Sequence, residues 1–528
     1  MYVTLLFWLG LALPGYVLLR RFTPDDLKSG LLGTLGLSYL AVLGGLSPVS
    51  ILCYVVGAPL WVFSGACILA VLLALYEMIR RRWWGDLGRL LLAGLCLEML
   101  LVLVDVVMGA RVGTFMIGDA RVHLARIRFI VDHGFSNLDP YVSAAWFFPT
   151  YHTNILHALA AACVQITGQD HFAVWFVGLA WAKILVAAGS YWLAWCIFQK
   201  PWPAWASAVF VIAVVGPVNY VLYPNKLCPY WAIPCIIGFA IQALQGPIGW
   251  RSCVKLGVAA LVLGQLHGLY ALFAVLLLGP ILGVACLYKI IRKRPDRWIS
   301  AACLLAISVG LPFPVISKLK TPPPAVAEGT AQAGQPDFNA LTKAPVTPDA
   351  NKGQFIELDS GWVMRNPRRG FGAGYGFWRF GLLILGAALA MTTPHRRRAG
   401  CMIAVTAVAV AVLFFPPLCT ALVRALGRDW ILGRFEFVLR LAVIVLVPSA
   451  AVYWLNPIGR FWWSRGLVSV VILVLAVLYA HHKPSGDWTN YRKKAFAPAQ
   501  ARFKEMEQFR GFRRALLKNV PAGETVLT

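Results

Sequence analysis

Acidic residues are scarce in this chain. Its 528 residues include 22 Asp and Glu against 48 Lys and Arg, and charged residues of both signs make up only 13% of the whole. With 59% hydrophobic residues and many uninterrupted apolar windows long enough to cross a bilayer core, that composition excludes an ordinary water-soluble domain. The chain reads as a polytopic membrane protein. No CxxC pair and no Cys/His group at metal spacing occurs among the 12 cysteines, most of which lie inside apolar runs. They read as small buried hydrophobes, so disulfides and zinc are not expected. A basic start is missing as well: Met1 to Leu19 runs straight into Arg20 and Arg21, which speaks against a cleavable signal peptide and for a first span with the N-terminus outside. The net charge of +26 is not gathered into one basic domain but split into short clusters between apolar runs. That pattern sets membrane orientation and makes anionic lipid, not nucleic acid, the expected partner.

Taken as helices, the apolar runs predict about 14 spans, near 1–19, 31–56, 60–79, 90–109, 171–197, 203–222, 229–246, 254–268, 269–290, 298–316, 376–394, 399–418, 435–455 and 466–482. The clusters Arg20–Arg21, Arg80–Arg82, Lys289 with Arg292–Arg294, Arg396–Arg398, and Arg460 with Arg465 fall in alternate connections, which places all five on the cytoplasmic side. The outer loops are then 110–170 and the Pro/Ala/Gly/Thr-rich 317–375. The tail 483–528 also faces outward in this phase, although its own basic residues vote for the cytoplasm. It ends in a helix pattern, a Pro-Gly turn and the start of an apolar strand, so either it docks on the outer loops or the natural protein continues.

The first outer loop is amphipathic. From Asp119 the helical period puts Asp119, His123 and Arg126 on one face and Ala120, Leu124, Ile127 and Val131 on another. Such a helix is expected to lie in the interface plane with its apolar face in lipid and its charged face toward a cavity. Gly134 breaks it, and the segment from Tyr151 to His157 opens a second half-polar helix. Two such helices would roof the membrane.

Asp119, then His123-Leu-Ala-Arg-Ile-Arg128, Val131-Asp-His-Gly-Phe135 and Leu138-Asp-Pro-Tyr141, resemble the first outer loop of GT-C membrane glycosyltransferases. The wording is nearest to oligosaccharyltransferase catalytic subunits, and protein mannosyltransferases and aminoarabinose transferases share the layout. The resemblance implies an all-α polytopic membrane protein of GT-C type with outer juxtamembrane helices, spread over residues 90–482, with 1–89 as extra N-terminal transmembrane helices. It also implies transfer of a sugar from a polyprenyl-phosphate donor to a lipid, glycan or protein acceptor on the outer face of a membrane. A bacterial inner membrane with the site toward the periplasm or exterior is the expected setting. The chain lacks a WWDYG-type peptide-binding motif and a large soluble C-terminal domain, so transfer to an Asn acceptor is not expected.

In such enzymes a carboxylate beside the acceptor acts as general base or holds a divalent metal on the donor phosphate. Asp119 is the candidate for either role, with Mg or Mn as the metal; an N-cap or an ion pair with Arg126 is the structural alternative. His123 and Arg126 share its face and are candidate substrate ligands, as is His152. Asp132 and His133 read as a helix end, Asp139 as a turn residue, and His157 as a weaker site candidate. The run from Val254 to Ile290 is short for two crossings and a turn, so its apex, with His267, should dip below the outer surface toward a cavity. Lys226 stands at an outer corner, as a phosphate ligand or a snorkelling lysine. Arg434 lies at the mouth of a span; guanidinium offers two parallel hydrogen bonds to a phosphate, and the alternative is an ion pair with Glu436. Glu98, Asp105 and Lys183 lie within spans, where charge is costly; they read as a structural ion pair and motivate a rival function, a lipid-linked sugar flippase or proton-coupled transporter. The end of the 317–375 loop, Gly361 to Gly370, is either a lid over the site or a linker.

Overall fold

The structure is a computed structural model that describes residues 2–86, 88–92, 94–96, 120–136, 153–215, 224–245, 249–312, 355–366, 376–426 and 432–455. These residues are almost entirely helical. In chain order they form α1 (Tyr2–Phe22), a 3-10 turn (Pro24–Ser29), α2 (Leu31–Val56), α3 (Leu60–Arg80), α4 (Ala120–His133), α5 (Ile155–Thr167), α6 (His171–Phe198) and α7 (Pro201–Val215). Next, Pro224–Leu227 runs through a π-helical turn, Cys228–Ala232, into α8 (Ile233–Gln245). There follow α9 (Trp250–Leu266), α10 (Gly268–Ile291), α11 (Arg297–Ala306), a hairpin of β1 (Phe355–Glu357) and β2 (Val363–Arg365), α12 (Gly376–Met391), α13 (Arg396–Phe414), α14 (Pro416–Leu426), a 3-10 turn (Arg434–Glu436) and α15 (Phe437–Leu455).

Eight of the described helices are long and apolar enough to cross a membrane. The lipid-facing surface is visible on α3, which buries Phe63, Cys67 and Met78 but exposes Trp61, Leu69, Leu72, Leu73 and Tyr76. An apolar stripe of that size is unfavourable in water and neutral in hydrocarbon. The chain is an integral membrane protein. Four shorter apolar helices, Ile155–Thr167, Pro201–Ile212, Arg297–Ala306 and Phe380–Met391, accompany the eight. The expected span 466–482 and most of 90–109 lie outside the described residues, as do the tail and the greater part of the 317–375 loop.

Buried apolar side chains from Leu5 to Val452 form one continuous core, so α1 to α3 pack into the same body as the later helices. Gly189 of α6 shows how tightly: a Cβ there would come within 2.6 Å of Trp231 Cα and 2.7 Å of the Tyr230 carbonyl oxygen. The π turn brings that backbone in, and Trp231 in turn donates its indole N–H to the Gly36 carbonyl at 3.3 Å.

The bundle has two chemically distinct ends. At one end Glu77 binds Arg21 at 2.6 Å and also Arg81, Lys255 binds buried Asp26 at 2.6 Å, and Lys289 binds Asp296 at 2.5 Å. The Arg398 guanidinium reaches the Cys196 carbonyl there, and Lys200 lies over Tyr453. The described members of the basic clusters all belong to this end. The helices leaving it carry the chain roughly 36 Å for 24 residues at 1.5 Å each, to an end lined with histidine and arginine.

Two expectations are corrected. The apolar stripe of α4 does not face lipid: Leu124, Ile127 and Ile130 are in the protein core, while Arg128 and Asp132 are exposed and paired at 3.1 Å. The reason is that α4 packs chiefly along α5, with further contacts to α6 and α3, while the Phe135 N–H bond to Ala58 O ties its end to the α2–α3 corner. Nor is α5 half-polar; Ile155 to Cys163 are all buried, and its polar contribution is at the first turn. Within this otherwise helical body, residues 355–365 form a small antiparallel hairpin pairing Phe355 with Arg365 and Glu357 with Val363.

Candidate functional site

The site is built where α4, α5, the α9–α10 break and the start of α15 meet. Gly134 ends α4 in the left-handed region, φ +73, and a Cβ there would meet the Ala58 carbonyl at 3.0 Å. That turn lets the Phe135 N–H bond Ala58 O at 2.9 Å and sets the Phe135 ring edge-on to Tyr54 and Phe63. Fixed in this way, α4 buries His123 and Arg126 completely. The Arg126 guanidinium donates to the Ser136 carbonyl and lies over the Tyr54 and Phe129 rings at 5.9 and 5.8 Å. The face expected to point toward a cavity is thus packed inside the protein.

Asn154 organises the neighbouring helix ends. Its Oδ1 accepts from the N–H groups of Leu156 and His157 at 3.0 and 3.1 Å, capping α5, while its Nδ2 donates to the Leu266 carbonyl at 2.7 Å, satisfying the last turn of α9. Tyr54 Oη reaches the Asn154 carbonyl at 3.4 Å. His157 is thereby set in the first turn of α5, and its Nε2 lies 2.8 Å from His123 Nδ1, with the second His123 face stacked on Trp175. His267 occupies the extended residue that separates α9 from α10, edge-on to Tyr270, whose ring continues into Phe273, Phe435 and Phe437.

Electrostatics tie these groups together. Burial pushes His123 down to about 3. Burial, followed by the nearby Arg434 and His123, pushes His267 down to about 3. Burial, followed by His123 and Arg126, pushes His157 well below the usual imidazole value. The influences run in order from Arg434 through His267, His123 and His157 to Arg126, with His123 as the link. All three rings are neutral at physiological pH and able to hydrogen-bond as donor or acceptor.

The linkage has a definite sign. An unfolded chain protonates its histidines near pH 6.5, whereas the folded rings resist protonation down to about pH 3, so folding is favoured less as pH falls below 6.5. Each ring contributes a slope of about 1.4 kcal/mol per pH unit in that window. Thermal melts in nanodiscs should be flat above pH 7 and fall steeply between pH 6.5 and 5. A flat profile through pH 5 would show that the rings are charged in the folded protein.

At the mouth of α15, Glu436 is buried and held by two arginines. Arg365 of β2 donates to it at 2.5 Å and Arg440 stands 3.6 Å away. Val363 of the same hairpin donates its N–H to Thr420 Oγ1 at 2.7 Å, which docks β2 on α14. The 355–366 segment is therefore fastened to α14 and to the start of α15. Glu436, the alternative partner of Arg434, is engaged by Arg365 and Arg440.

Of the candidate residues, His123, Arg126, His267 and Arg434 come together, and His157 joins them. Lys226 is half-buried on the turn Pro224–Leu227, at the same end by the direction of its helix. Asp119, Asp139 and His152 lie outside the described residues, and so do Glu98 and Asp105, the expected partners of buried Lys183. Asp132 and His133 close α4, as expected. Asn154, Tyr54, Arg365 and the weight of His157 were not evident in the sequence. Asn154 alone carries a local signal, an N-cap residue before an apolar run. Among the described residues no group of three His, Cys, Asp or Glu side chains could hold a metal ion.

No protein-family model and no curated protein sequence matches the chain, so the functional reading rests on this geometry.

Proposed function

We propose that the chain is a membrane glycosyltransferase of GT-C type, with about 14 spans, that moves a sugar from a polyprenyl-phosphate donor to a lipid, glycan or protein hydroxyl. The observation that carries this reading is the group of buried His267, His123, His157 and Arg126, with half-buried Arg434 beside His267, at the end of the bundle opposite its basic clusters. Basic loops favour the cytoplasm, so the histidine end faces the outer side, the periplasm or exterior if the membrane is a bacterial inner membrane. A polyprenyl tail stays in the bilayer while its phosphate needs cationic and N–H donors at just that depth. Arg434 binds the phosphate by parallel hydrogen bonds, His267 adds a neutral donor, and the buried Phe273, Phe435 and Phe437 rings pack behind them as apolar support.

Asp119 precedes His123 by four residues and acts on the acceptor hydroxyl as general base. Where a divalent ion, Mg or Mn, takes part, Asp119 is its ligand, and it would screen the donor phosphate charge. The hairpin 355–366 closes the acceptor side. One observation favours transport as a second reading: Lys183 is buried in the middle of α6, where a flippase or proton-coupled carrier would keep a charge.

The test is to reconstitute wild type and Asp119→Asn in liposomes and supply labelled polyprenyl-phosphate hexoses and pentoses with lipid and glycan acceptors. Wild type should form glycosylated product, and the variant should lose turnover by about 10²-fold or more, in the range of a lost general base. Unchanged turnover in Asp119→Asn removes that residue from catalysis. Donor crossing the bilayer without product moves the function to transport.

A further inference from the structure

Cys253 and Cys303 put their sulfurs to a use that apolar packing does not require. Their Sγ atoms lie 3.1 Å apart, about 1 Å beyond a disulfide bond, and among the described residues no other two cysteine sulfurs meet. The Cys253 S–H donates to the Ile299 carbonyl at 3.4 Å, so its sulfur lone pair is left to accept the Cys303 S–H. Cys253 sits in the first turn of α9 and Cys303 in the second turn of α11, helices that start from the same basic end and pack side by side. Their register is fixed twice: at this end by the Cys253–Ile299 bond, and further along at Gly310, where the Ala260 carbonyl leaves no room for a Cβ. Exposure separates the two thiols. Cys253 is half-buried, two residues from exposed Arg251, whereas Cys303 is completely buried.

We propose that this pair is a redox site at which a hydroperoxide, hydrogen peroxide being the simplest, converts two thiols into an intramolecular disulfide that staples α9 to α11. Cys253 reacts first, because the oxidant reaches its sulfur and not that of Cys303. The Cys253 sulfur attacks one peroxide oxygen, the O–O bond breaks, the thiol proton leaves with the other oxygen as water or an alcohol, and Cys253 becomes a sulfenic acid. Cys303 Sγ then attacks Cys253 Sγ. The S–S bond forms as the S–O bond breaks, and the hydroxide leaves with the Cys303 proton as water. Two electrons pass from the two sulfurs to the peroxide, and the chain loses two hydrogens. Contact at 3.1 Å lets Cys303 resolve the sulfenic acid ahead of any thiol that must diffuse to it.

The bond closes a loop between positions 50 residues apart, which contains the His267 break and all of α10. In the reduced chain α9 is held at its basic end by the Lys255–Asp26 ion pair and at its far end by the Asn154 bond to the Leu266 carbonyl. Oxidation adds a covalent tie at the first of these ends, so the support of His267 stiffens under peroxide. The disulfide stands apart from the transferase reading, since its chemistry needs only the two sulfurs and the oxidant.

The test uses the reduced full chain in nanodiscs, treated with hydrogen peroxide at neutral pH and read by intact and peptide mass spectrometry. Wild type should lose the mass of two hydrogens, its free-thiol count should fall by two from 12, and a linked peptide should join Cys253 to Cys303, all reversed by dithiothreitol. Hydrogen exchange in the first turn of α9, Trp250 to Cys253, should slow on oxidation. Cys303→Ser keeps the first step and loses the second, so Cys253 should stop as a sulfenic acid that dimedone captures. Cys253→Ser should leave Cys303 unoxidised. Sulfinic acid at Cys253 with no link, a link through any other cysteine or between two chains, or oxidation of Cys303 in Cys253→Ser overturns the site. A full yield of the link in a protein that transfers no sugar supports the redox site and counts against the transferase only.

Discussion

Arg434→Ala is expected to lower turnover with a polyprenyl-phosphate sugar by roughly 10²–10³-fold, the usual loss when one preorganised donor to a developing anion is removed. The effect should fall mainly on kcat, because the leaving phosphate gains charge as the sugar departs and the guanidinium meets it with two hydrogen bonds. Arg434→Lys keeps the charge but not the fork, and should recover only part of the loss. Arg434 begins the 3-10 turn Arg434–Glu436, beside Phe435 in the core, so its backbone is held independently of its guanidinium. The melting curve of Arg434→Ala in nanodiscs should therefore stay close to that of wild type. Full turnover in Arg434→Ala would move the phosphate site elsewhere.

Glu436→Ala has the largest expected effect on stability. The carboxylate is buried against Arg365 at 2.5 Å and approached by Arg440, so its removal leaves the Arg365 guanidinium uncompensated in a site with side chains under 10% exposed. Breaking a buried pair from one side costs about 3–5 kcal/mol. The same change loosens the hairpin, which keeps the two Val363–Thr420 bonds. Hydrogen exchange at Phe355–Glu357 should accelerate along with the drop in melting temperature. Exchange that stays slow in Glu436→Ala would show that the hairpin is held by something other than this ion pair. Arg365→Ala should reproduce the hairpin release and leave Glu436 with Arg440, so the two variants together separate the charge from the cover.

What the sequence made legible were features with a local pattern. The break at His267 is one: two apolar runs meet at Gly264-Gln-Leu-His-Gly268, and the structure ends α9 at Leu266 and starts α10 at Gly268. Another is the spacing of His123 and Arg126, which α4 does present to a common interior. The alternation of basic clusters, likewise, appears as one end of the bundle. Features made by distant segments were not legible. Nothing near His157 announces that its Nε2 meets a ring 34 residues earlier, because that contact depends on Asn154 binding Leu266, 112 residues later. Tyr54 and Arg365 reach the site from α2 and from the second outer loop, and no periodicity links them to it. The direction of the α4 stripe was misjudged for a related reason. Amphipathicity specifies which face is buried, not whether lipid or protein buries it, and the packing of α4 on α5 and α6 is invisible in the pattern of α4 itself.

The central claim is that a polyprenyl-linked phosphate binds at the histidine end of the bundle. A cryo-electron microscopy structure of the reconstituted protein with a non-transferable polyprenyl-phosphate sugar tests it most directly. The account predicts phosphate density within hydrogen-bond reach of Arg434 and beside His267, the prenyl chain leaving toward lipid past Phe435 and Phe437, and the sugar facing His123. Density for the phosphate at the opposite end, among Arg21, Lys255 and Arg398, would contradict it.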